Sequence, residues 1–153
     1  KQQYNFSSTY VYSPYILVTK AGSSIKSVAD LKGKKLAEGT GSDNEALAKK
    51  LGATTVPNSN FTAVIGTIKD GRVDGSINAV SAWNDYKKSN STTGLKATVL
   101  DAKDAAPAES AAVINKKSKK LRTAVNKALN QLRKDGTLKK LSVKYLGSDV
   151  TEK

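Results

Sequence analysis

A short run of small residues, Gly39, Thr40, Gly41 and Ser42, is the first stretch of the chain whose residue types suit the binding of a small molecule. It follows a predicted strand and comes directly before a predicted helix. Backbone N–H groups at the start of a helix have no intrahelical partners and can receive a carboxylate, which is a physical reason for small residues at this point. A tight strand-to-helix turn without a binding role accounts for the same run, and both interpretations stay open.

A second candidate segment begins with Asn78 and Ala79 and runs to Ser81, after another predicted strand. In an open sheet built from alternating strands and helices, ligands bind beyond the carboxyl ends of the strands. Both candidate segments occupy such positions. We therefore expect them to converge on one mouth of one sheet.

The residue types most often used for catalysis and metal binding are missing, since the chain contains no Cys and no His. Without Cys, disulfides, thiolate metal sites and a cysteine nucleophile are excluded, and without His the commonest general base and metal ligand is lost. The carboxylates that remain form no recognisable acid and base pair and show no metal-ligand spacing. We expect a protein that is not an enzyme and that uses no metal or cofactor.

The elements that must position the two segments alternate between strands and helices. Extended patterns cover residues 10–20, 34–37, 54–56, 73–78 and 96–100, with one more strand in 110–114. Helical patterns cover 27–31 and 80–88, and further helices start from a capping box of Ser42 and Glu45, from a cap at Asn60, from Ser118 and from Thr137. This order predicts an α/β fold with a mixed, mostly parallel sheet that is flanked by helices.

No membrane span or targeting segment is predicted. The hydrophobic runs never approach the roughly 20 apolar residues that a bilayer-spanning helix needs. The chain starts at Lys1 without Met and without the charged-then-apolar pattern of a signal peptide, so we do not expect residue 1 to be the biological start.

The net charge of +13 is concentrated in residues 116–153. A basic surface of this kind attracts anionic partners such as nucleic acid, a membrane surface or an acidic polymer, and a solvated lysine face is the simpler alternative. The candidate surface consists of Lys116, Lys117, Lys119, Lys120, Lys127, Arg133, Lys134, Lys139 and Lys140. Few of the basic residues are arginines, which argues against specific nucleic-acid recognition, because base reading relies on the bidentate guanidinium.

Motifs across nearly all of the chain resemble, in order and spacing, the type 2 periplasmic-binding-protein family in its polar amino-acid branch. They are Tyr4–Ser7, Ser24–Lys34, Gly39–Ser42, Asp70–Asn78, and Lys134–Thr137 with Lys144–Gly147. The resemblance implies a protein of two α/β lobes that close on a solute at a hinge.

On that basis, residues 14–107 form one complete lobe. Residues 1–13 would be a remnant of the other lobe with the first hinge strand, and residues 108–153 would supply the second hinge strand and the C-terminal helices of that lobe. The opening half of that lobe is absent from the sequence. We therefore expect a fragment of a longer protein.

By the same resemblance, this lobe contacts the solute through Gly39–Ser42 and through an Asp that follows the strand ending at Asn78. Ala79 stands at the position of that Asp. A methyl group cannot pair with the solute ammonium, and leaving a buried ammonium unpaired costs about 2 to 5 kcal/mol of binding free energy. Three explanations stay open: Asn78, Asp43 or Asp85 compensates, the solute is not an ordinary amino acid, or transport has been relaxed in favour of adhesion.

Three further stretches, Gln3–Ser7, Lys88–Lys96 and Val150–Glu152, are similar to collagen-binding and mucus-adhesion members of the family on Gram-positive commensal surfaces. The resemblance implies an extracellular, cell-surface-associated solute-binding protein of an amino-acid ABC importer that also serves as a basic adhesin for collagen or mucin. A dedicated matrix adhesin with lost or altered amino-acid binding is the alternative. The implied partners are a small polar solute, the membrane subunits of the importer, and collagen or mucin, without specific nucleic acid.

Overall fold

The structure is a computed structural model that describes residues 4–152. Lys1, Gln3 and Lys153, which belong to predicted segments, lie outside the described residues. The chain divides into two compact units: a central unit of residues 14–106, and a terminal unit that combines the residues up to 13 with those from 107 onwards. The assignment of these units to a complete and an incomplete lobe stays a prediction.

The described residues contain nine strands and five α-helices, with one 3-10 turn over Val28–Leu31. The strands are β1 (Tyr4–Phe6), β2 (Val11–Ser13), β3 (Tyr15–Lys20), β4 (Lys35–Glu38), β5 (Thr54–Pro57), β6 (Gly75–Ala79), β7 (Leu95–Val99), β8 (Ala108–Ser110) and β9 (Val113–Asn115). The helices are α1 (Asp43–Lys50), α2 (Phe61–Lys69), α3 (Val80–Ser89), α4 (Lys119–Lys134) and α5 (Thr137–Leu146).

The central unit is built on a five-stranded sheet with the strand order β5-β4-β6-β3-β7. Strand β4 pairs in parallel with β5 and β6, whereas β3 runs antiparallel to both β6 and β7. All strands of this sheet except β3 therefore point the same way. The predicted mixed, mostly parallel sheet is confirmed.

The core of the central unit lies between this sheet and the helices α2 and α3. Ile16 and Val18 of β3 pack in one cluster with Ile65 and Ile68 of α2, and Trp83 of α3 completes it. Each such side chain contributes about 1.5 to 3 kcal/mol when it is removed from water. The sheet and its covering helices therefore form a rigid base for the loops at the strand ends.

Two helices begin where the sequence predicts a cap. Asn60 Oδ1 accepts the N–H of Ala63 at 2.9 Å at the start of α2, and Ser42 Oγ accepts the N–H of Glu45 at 3.1 Å at the start of α1. These side chains satisfy backbone donors that have no intrahelical partner. As a result, α1 and α2 begin shortly after β4 and β5, at the same edge of the sheet.

Gly75, the first residue of β6, lies where the neighbouring strands leave no room for a side chain. A Cβ atom there would lie 2.7 Å from the carbonyl oxygen of Val18 and 3.2 Å from Cγ2 of Thr19. Gly75 pairs with Thr19 of β3 and with Leu36 of β4. The missing side chain thus lets β6 fit between both neighbours.

The terminal unit contains two antiparallel strand pairs, β1 with β9 and β2 with β8, and the helices α4 and α5. The extended segment predicted over 10–20 consists of β2 and β3, which Pro14 separates because it has no N–H to donate to a ladder. The single strand predicted in 110–114 is wrong. That segment contributes to β8 and β9, which pair with different strands.

Candidate functional site

A cavity of about 140 Å³ opens at the carboxyl ends of β4 and β6 in the central unit. Its walls consist of Ala37, Glu38, Gly39, Ser42, Asn44, Asn58, Ser59, Asn60, Phe61, Val64, Ser76 and Asn78. Among the predicted ligand-binding residues, Gly39, Ser42 and Asn78 line the cavity, whereas Thr40, Gly41 and Ala79 are not among its walls. The two predicted segments meet at one edge of one sheet, and their role in solute binding stays a prediction.

The starts of two helices lie at this cavity. Ser42 and Asn44 line it from the start of α1, and Asn60 and Phe61 line it from the start of α2. A helix N-terminus carries partial positive charge and N–H donors without intrahelical partners, so two of them at one cavity favour a negatively charged group. This arrangement suits the carboxylate of a small polar solute.

The loop before α1 is held by Glu45. Its Oε2 accepts the N–H of Gly41 at 2.7 Å, and its Oε1 accepts a hydrogen bond from Lys49 Nζ at 2.7 Å. The second half of the predicted capping box is therefore wrong, because the carboxylate turns to Gly41 instead of the N–H of Ser42. The hydrogen bond from Lys49, followed by that from Gly41, lowers the pKa of Glu45. Gly41 thus already has an anionic partner, while the N–H of the exposed Thr40 bonds to no described residue.

Glu38, the last residue of β4, supplies the one carboxyl group among the cavity walls, and it is only 2% exposed. Its Oε1 accepts the backbone N–H of Ile77 in β6 at 2.7 Å. Burial raises the pKa of the Glu38 carboxyl to about 8, against the opposing effect of hydrogen bonds from Ile77 and Ser76. At neutral pH the cavity therefore contains an uncharged carboxylic acid.

Asn78 and Ala79 form the end of β6, directly before α3. Asn78 Oδ1 accepts the N–H of Ala79 at 2.8 Å, and Nδ2 of Asn78 bonds to no described residue. Ala79 is the N-cap residue of α3 and offers no side-chain cap. The first turn of α3 therefore lacks the acceptor that Asp, Asn or Ser would supply. A carboxylate at this position would provide both a helix cap and a negative charge.

The two acidic residues suggested to compensate for Ala79 lie in different surroundings. Asp43 is the first residue of α1, and its charge adds to burial in raising the pKa of Tyr15. Tyr15 is the register partner of Ala79. Asp85 instead forms an exposed ion pair with Lys88 of the same helix, at 3.2 Å. Asp43 is therefore the better placed of the two to act near the end of β6.

The predicted adhesion residues are spread over α4, α5 and the turn before α4. Helix α4 contains no acidic residue. Lys127 and Lys134 lie along one groove on it together with Arg122, which sequence reasoning omitted. The same arginine reaches a neighbouring groove that Lys116 and Lys119 also line. Lys117, Lys120 and Lys140 are exposed as well.

Two of the predicted adhesion residues are engaged within the protein. Arg133 is half-buried, and its Nη2 donates to the carbonyl oxygens of Thr9 at 2.9 Å and Thr151 at 3.3 Å. Lys139 forms an ion pair with Asp149 at 3.7 Å. Arg133 consequently serves the folding of the terminal unit and is not part of an open basic surface.

The sequence analysis did not predict that Glu38 and the 58–60 loop line the cavity. The loop carried a usable signal, because it follows β5 just as the Gly39 loop follows β4, and parallel strands end at the same edge. Glu38 carried none, since an isolated Glu is rarely buried without a charged partner. Its burial depends on the packing around the end of β4, which one sequence does not reveal.

The comparison with known proteins assigns the chain to a family. The model of the bacterial extracellular solute-binding proteins, family 3, matches residues 1–148. The chain belongs to this family of solute-binding proteins, and the periplasmic-binding-protein-like α/β fold expected from the resemblance is confirmed. The matched relatives are named for binding amino acids and not for catalysis.

Individual relatives give the degree of similarity. The probable amino-acid-binding protein YxeM of Bacillus subtilis is 40% identical over 99% of this chain and 58% of its own length. The L-cystine-binding protein TcyA of the same organism is 34% identical over 99% of this chain and 56% of its own. A solved structure from work on glutathione import through GshT and the cystine ABC importer TcyBC of Streptococcus mutans has a TM-score of 0.80 at 27% identity, covering 99% of this chain and 66% of that one.

The chain thus spans just over half of the length of the curated relatives it matches. Within residues 4–152, no helix has both the length and the apolar content required to cross a bilayer. The described residues also hold no group of three or more acidic, His or Cys side chains arranged to bind a metal ion. The collagen or mucin partner and the surface attachment find no counterpart in these relatives and remain proposals.

Proposed function

We propose that the chain is part of the solute-binding component of an amino-acid ABC importer and that it holds the polar end of an amino acid or a close relative at the cavity. The observation that carries this proposal is the meeting of Gly39, Ser42 and Asn78 with the starts of α1 and α2 at one cavity. Family membership supports the same function. Because two relatives are named for L-cystine and for glutathione import, these solutes come first in a test.

The cavity is open to solvent, so its volume of about 140 Å³ sets no upper limit on the size of the solute. A carboxylate with its adjacent carbon can occupy the cavity while the remainder of the solute extends outside it.

Isothermal titration calorimetry tests the proposal directly. The protein is titrated with L-cystine, glutathione and the common amino acids. Saturable heat with at least one solute is expected, and it should weaken when Ser42 or Asn78 is replaced by Ala. The absence of heat with every solute would contradict the proposal.

Substitutions of Ala79 separate charge from helix capping. Both Ala79→Asp and Ala79→Asn place a side-chain acceptor at the N-cap of α3, where none exists now, but only Asp adds a negative charge. If the solute ammonium lies near this position, Ala79→Asp should tighten binding by at least about tenfold. Ala79→Asn should leave the affinity within about threefold, because it adds only the cap. Equal affinities for the two variants would show that no ammonium lies there.

A second proposed function is adhesion to collagen or mucin through the basic groove, defined here as Arg122, Lys127 and Lys134. The specific observation is that these cations share one groove on a helix without acidic residues. Attraction of this kind is long-ranged at low ionic strength and is screened within about 10 Å at 0.1 M salt. Attachment to a Gram-positive cell surface and contact with the importer's membrane subunits belong to the same proposal.

Surface plasmon resonance on immobilised collagen and mucin tests the adhesive function. Capture should be strong at low salt, fall steeply as salt is raised, and drop at least about tenfold when Arg122, Lys127 and Lys134 are all replaced by Ala. The matched control replaces the exposed Lys32, Lys50 and Lys87 of the central unit, which removes the same charge elsewhere. If the control variant lost as much capture as the groove variant, net charge and not the groove would explain the binding. If the wild type were not captured at low salt, the adhesive function would be contradicted.

The two experiments together distinguish an importer component from a dedicated adhesin. An importer component gives heat with a solute whether or not it is captured on a matrix. A dedicated adhesin gives capture without solute heat. That second outcome would agree with the loss of the expected Asp at Ala79.

A further inference from the structure

Strands β4 and β6 are paired only near their beginnings. Their register joins Leu36 to Gly75, and a ladder continued by two residues would join Glu38 to Ile77, but that pair is not formed. In contrast, β4 stays paired with β5 up to Glu38 itself. The candidate cavity opens at the end where β4 and β6 separate.

The Glu38 side chain supplies the contact between β4 and β6 beyond the last pair of their ladder. Its Oε1 accepts the N–H of Ile77 at 2.7 Å, in place of a backbone carbonyl of β4. The Ser76 hydroxyl donates to the carbonyl oxygen of Ile77 at 3.4 Å and, from beside the carboxyl, acts to lower the pKa of Glu38. Ser76 and Ile77 are fully buried in the folded protein. Without the carboxyl, the Ile77 N–H would lose its acceptor in a buried position.

Glu38 is also connected to the remaining walls of the cavity through its backbone. Its carbonyl oxygen accepts the N–H of Asn58 at 2.9 Å, at the start of the loop that leads into α2. The next residue in the chain is Gly39, the first residue of the loop before α1. One residue therefore touches or adjoins all the segments that form the cavity.

We propose that Glu38 is the positioning residue of the candidate site: its carboxyl bridges the separating ends of β4 and β6 and thereby sets the spacing between the Gly39 loop and Asn78. This role rests on the proposed binding function, because spacing matters only if a solute occupies the cavity. Glu38 itself acts through Ile77 and Asn58 and need not touch the solute.

The surroundings of Glu38 make the bridge sensitive to its protonation. Among residues 4–152, Glu45 of α1 is the charged group whose field acts on the carboxyl, and it opposes ionisation. The cavity walls contributed by the 58–60 loop, α2 and β6 are uncharged. Burial raises the pKa of Glu38 to about 8, so the neutral acid prevails at neutral pH and ionisation near pH 8 places a charge in the bridge.

Nuclear magnetic resonance of backbone amides tests the bridge without any solute. Between pH 6 and 9.5, the amides of Gly39, Asn58 and Ile77 should shift together with one midpoint near pH 8. In Glu38→Gln, which keeps an acceptor oxygen and removes the titration, this shared transition should disappear. The amide of Gly66, in the interior of α2, is the internal reference.

A second measurement concerns the bond to Ile77. Hydrogen exchange of the Ile77 amide should be at least about tenfold faster in Glu38→Ala than in the wild type, and Glu38→Gln should restore most of the protection. Amides that shift without a shared midpoint, or that titrate equally in Glu38→Gln, would overturn the proposal. So would unchanged Ile77 exchange in a folded Glu38→Ala.

Calorimetry and the amide titration test the proposed binding function and the positioning role of Glu38 separately. A protein that gives no calorimetric heat with any solute but shows the shared transition has the bridge without the binding function. A protein that binds L-cystine with equal affinity in the wild type, Glu38→Gln and Glu38→Ala binds its solute without the bridge, and Glu38 then has no positioning role.

Discussion

Glu38 illustrates how the surroundings of one residue can remove its usual charge at neutral pH. A carboxyl group that is almost completely removed from water ionises with difficulty, and a single backbone N–H on Oε1 does not compensate for the lost hydration. The same residue type behaves in the opposite way at Glu45, where Lys49 and the N–H of Gly41 stabilise the charge and lower the pKa. Before the loop, burial keeps Glu38 uncharged at neutral pH, and after it, hydrogen bonds from Lys49 and Gly41 keep Glu45 charged.

The raised pKa of Glu38 predicts that the protein loses stability as the pH rises. The folded state keeps the Glu38 proton up to a pH of about 8, while the unfolded chain releases it near the ordinary value of 4.5. Between these values the unfolded state binds fewer protons, so the free energy of unfolding decreases by up to about 1.4 kcal/mol for each pH unit. The decrease ends above the folded-state pKa.

Urea denaturation of the wild type and of Glu38→Gln between pH 4 and 9 measures this effect. The other carboxyl groups titrate in both proteins, so the difference between the two curves isolates Glu38. We expect the wild type to lose stability relative to the variant through this range. Parallel curves would show that Glu38 is ionised in the folded protein.

At the level of the elements, Gly75 shows that close packing between neighbouring strands leaves no room for a side chain at the first residue of β6. Gly75→Ala would place a methyl carbon 2.7 Å from the Val18 carbonyl oxygen, which belongs to the backbone and cannot rotate away. We expect a loss of about 1 to 3 kcal/mol in the free energy of unfolding, measured in urea. The strand β6 would have to shift, and Asn78 with it.

Gly66→Ala is the matched control for this prediction. A Cβ atom at Gly66 meets nothing within 4 Å, and the residue lies in the interior of α2. Replacing Gly by Ala in such a position stabilises a helix by about 0.5 to 1 kcal/mol. If both variants changed stability in the same direction, the close approach at Gly75 would not be the cause.

The predictable part of the fold follows from local chemistry. The caps at Ser42 and Asn60, the apolar spacing of α2 and the alternation of strands and helices are all properties of neighbouring residues, and the structure has them where expected. The failures involve partners that are distant in the chain. The segment 110–114 contributes to two strands because its partners, β1 and β2, are separate.

The same distinction applies to the candidate site. Gly39, Ser42 and Asn78 were predictable because residues after parallel strands share one edge of the sheet. The engagement of Gly41 by Glu45, the burial of Glu38 and the contacts of Arg133 depend on side-chain orientation and on packing, which periodicity does not report. Sequence patterns therefore predicted which loops line the candidate cavity and left its electrostatics undetermined.

On the scale of the whole molecule, the two units differ in how they are stabilised. The buried apolar side chains lie almost entirely in the central unit, and the terminal unit contributes only Ile114 and Val150 among the described residues. Most exposed large apolar side chains, including Phe6, Leu121 and Tyr145, belong to the terminal unit. That unit consequently relies more on specific hydrogen bonds than on a core.

Arg133 is the residue on which this dependence can be tested. Its guanidinium connects α4 to the carbonyl oxygens of Thr9 and Thr151, near both ends of the described chain. Arg133→Ala should lower protection against hydrogen exchange around these residues by about 1 to 3 kcal/mol and leave the central unit unchanged. Lys134→Ala, which removes an exposed charge from the next position, is the control. Equal effects of the two substitutions, or a loss of protection in β3 and β6, would contradict the prediction.

The contact between Glu45 and Gly41 has a consequence for selectivity. A solute carboxylate can take the Gly41 amide only by displacing an anion that is already tethered beside it and neutralised by Lys49. Such an exchange replaces one charged hydrogen bond by another of the same kind, so it yields little net free energy. Discrimination among solutes would then come from whatever lies beyond their common acid group, which every amino acid shares.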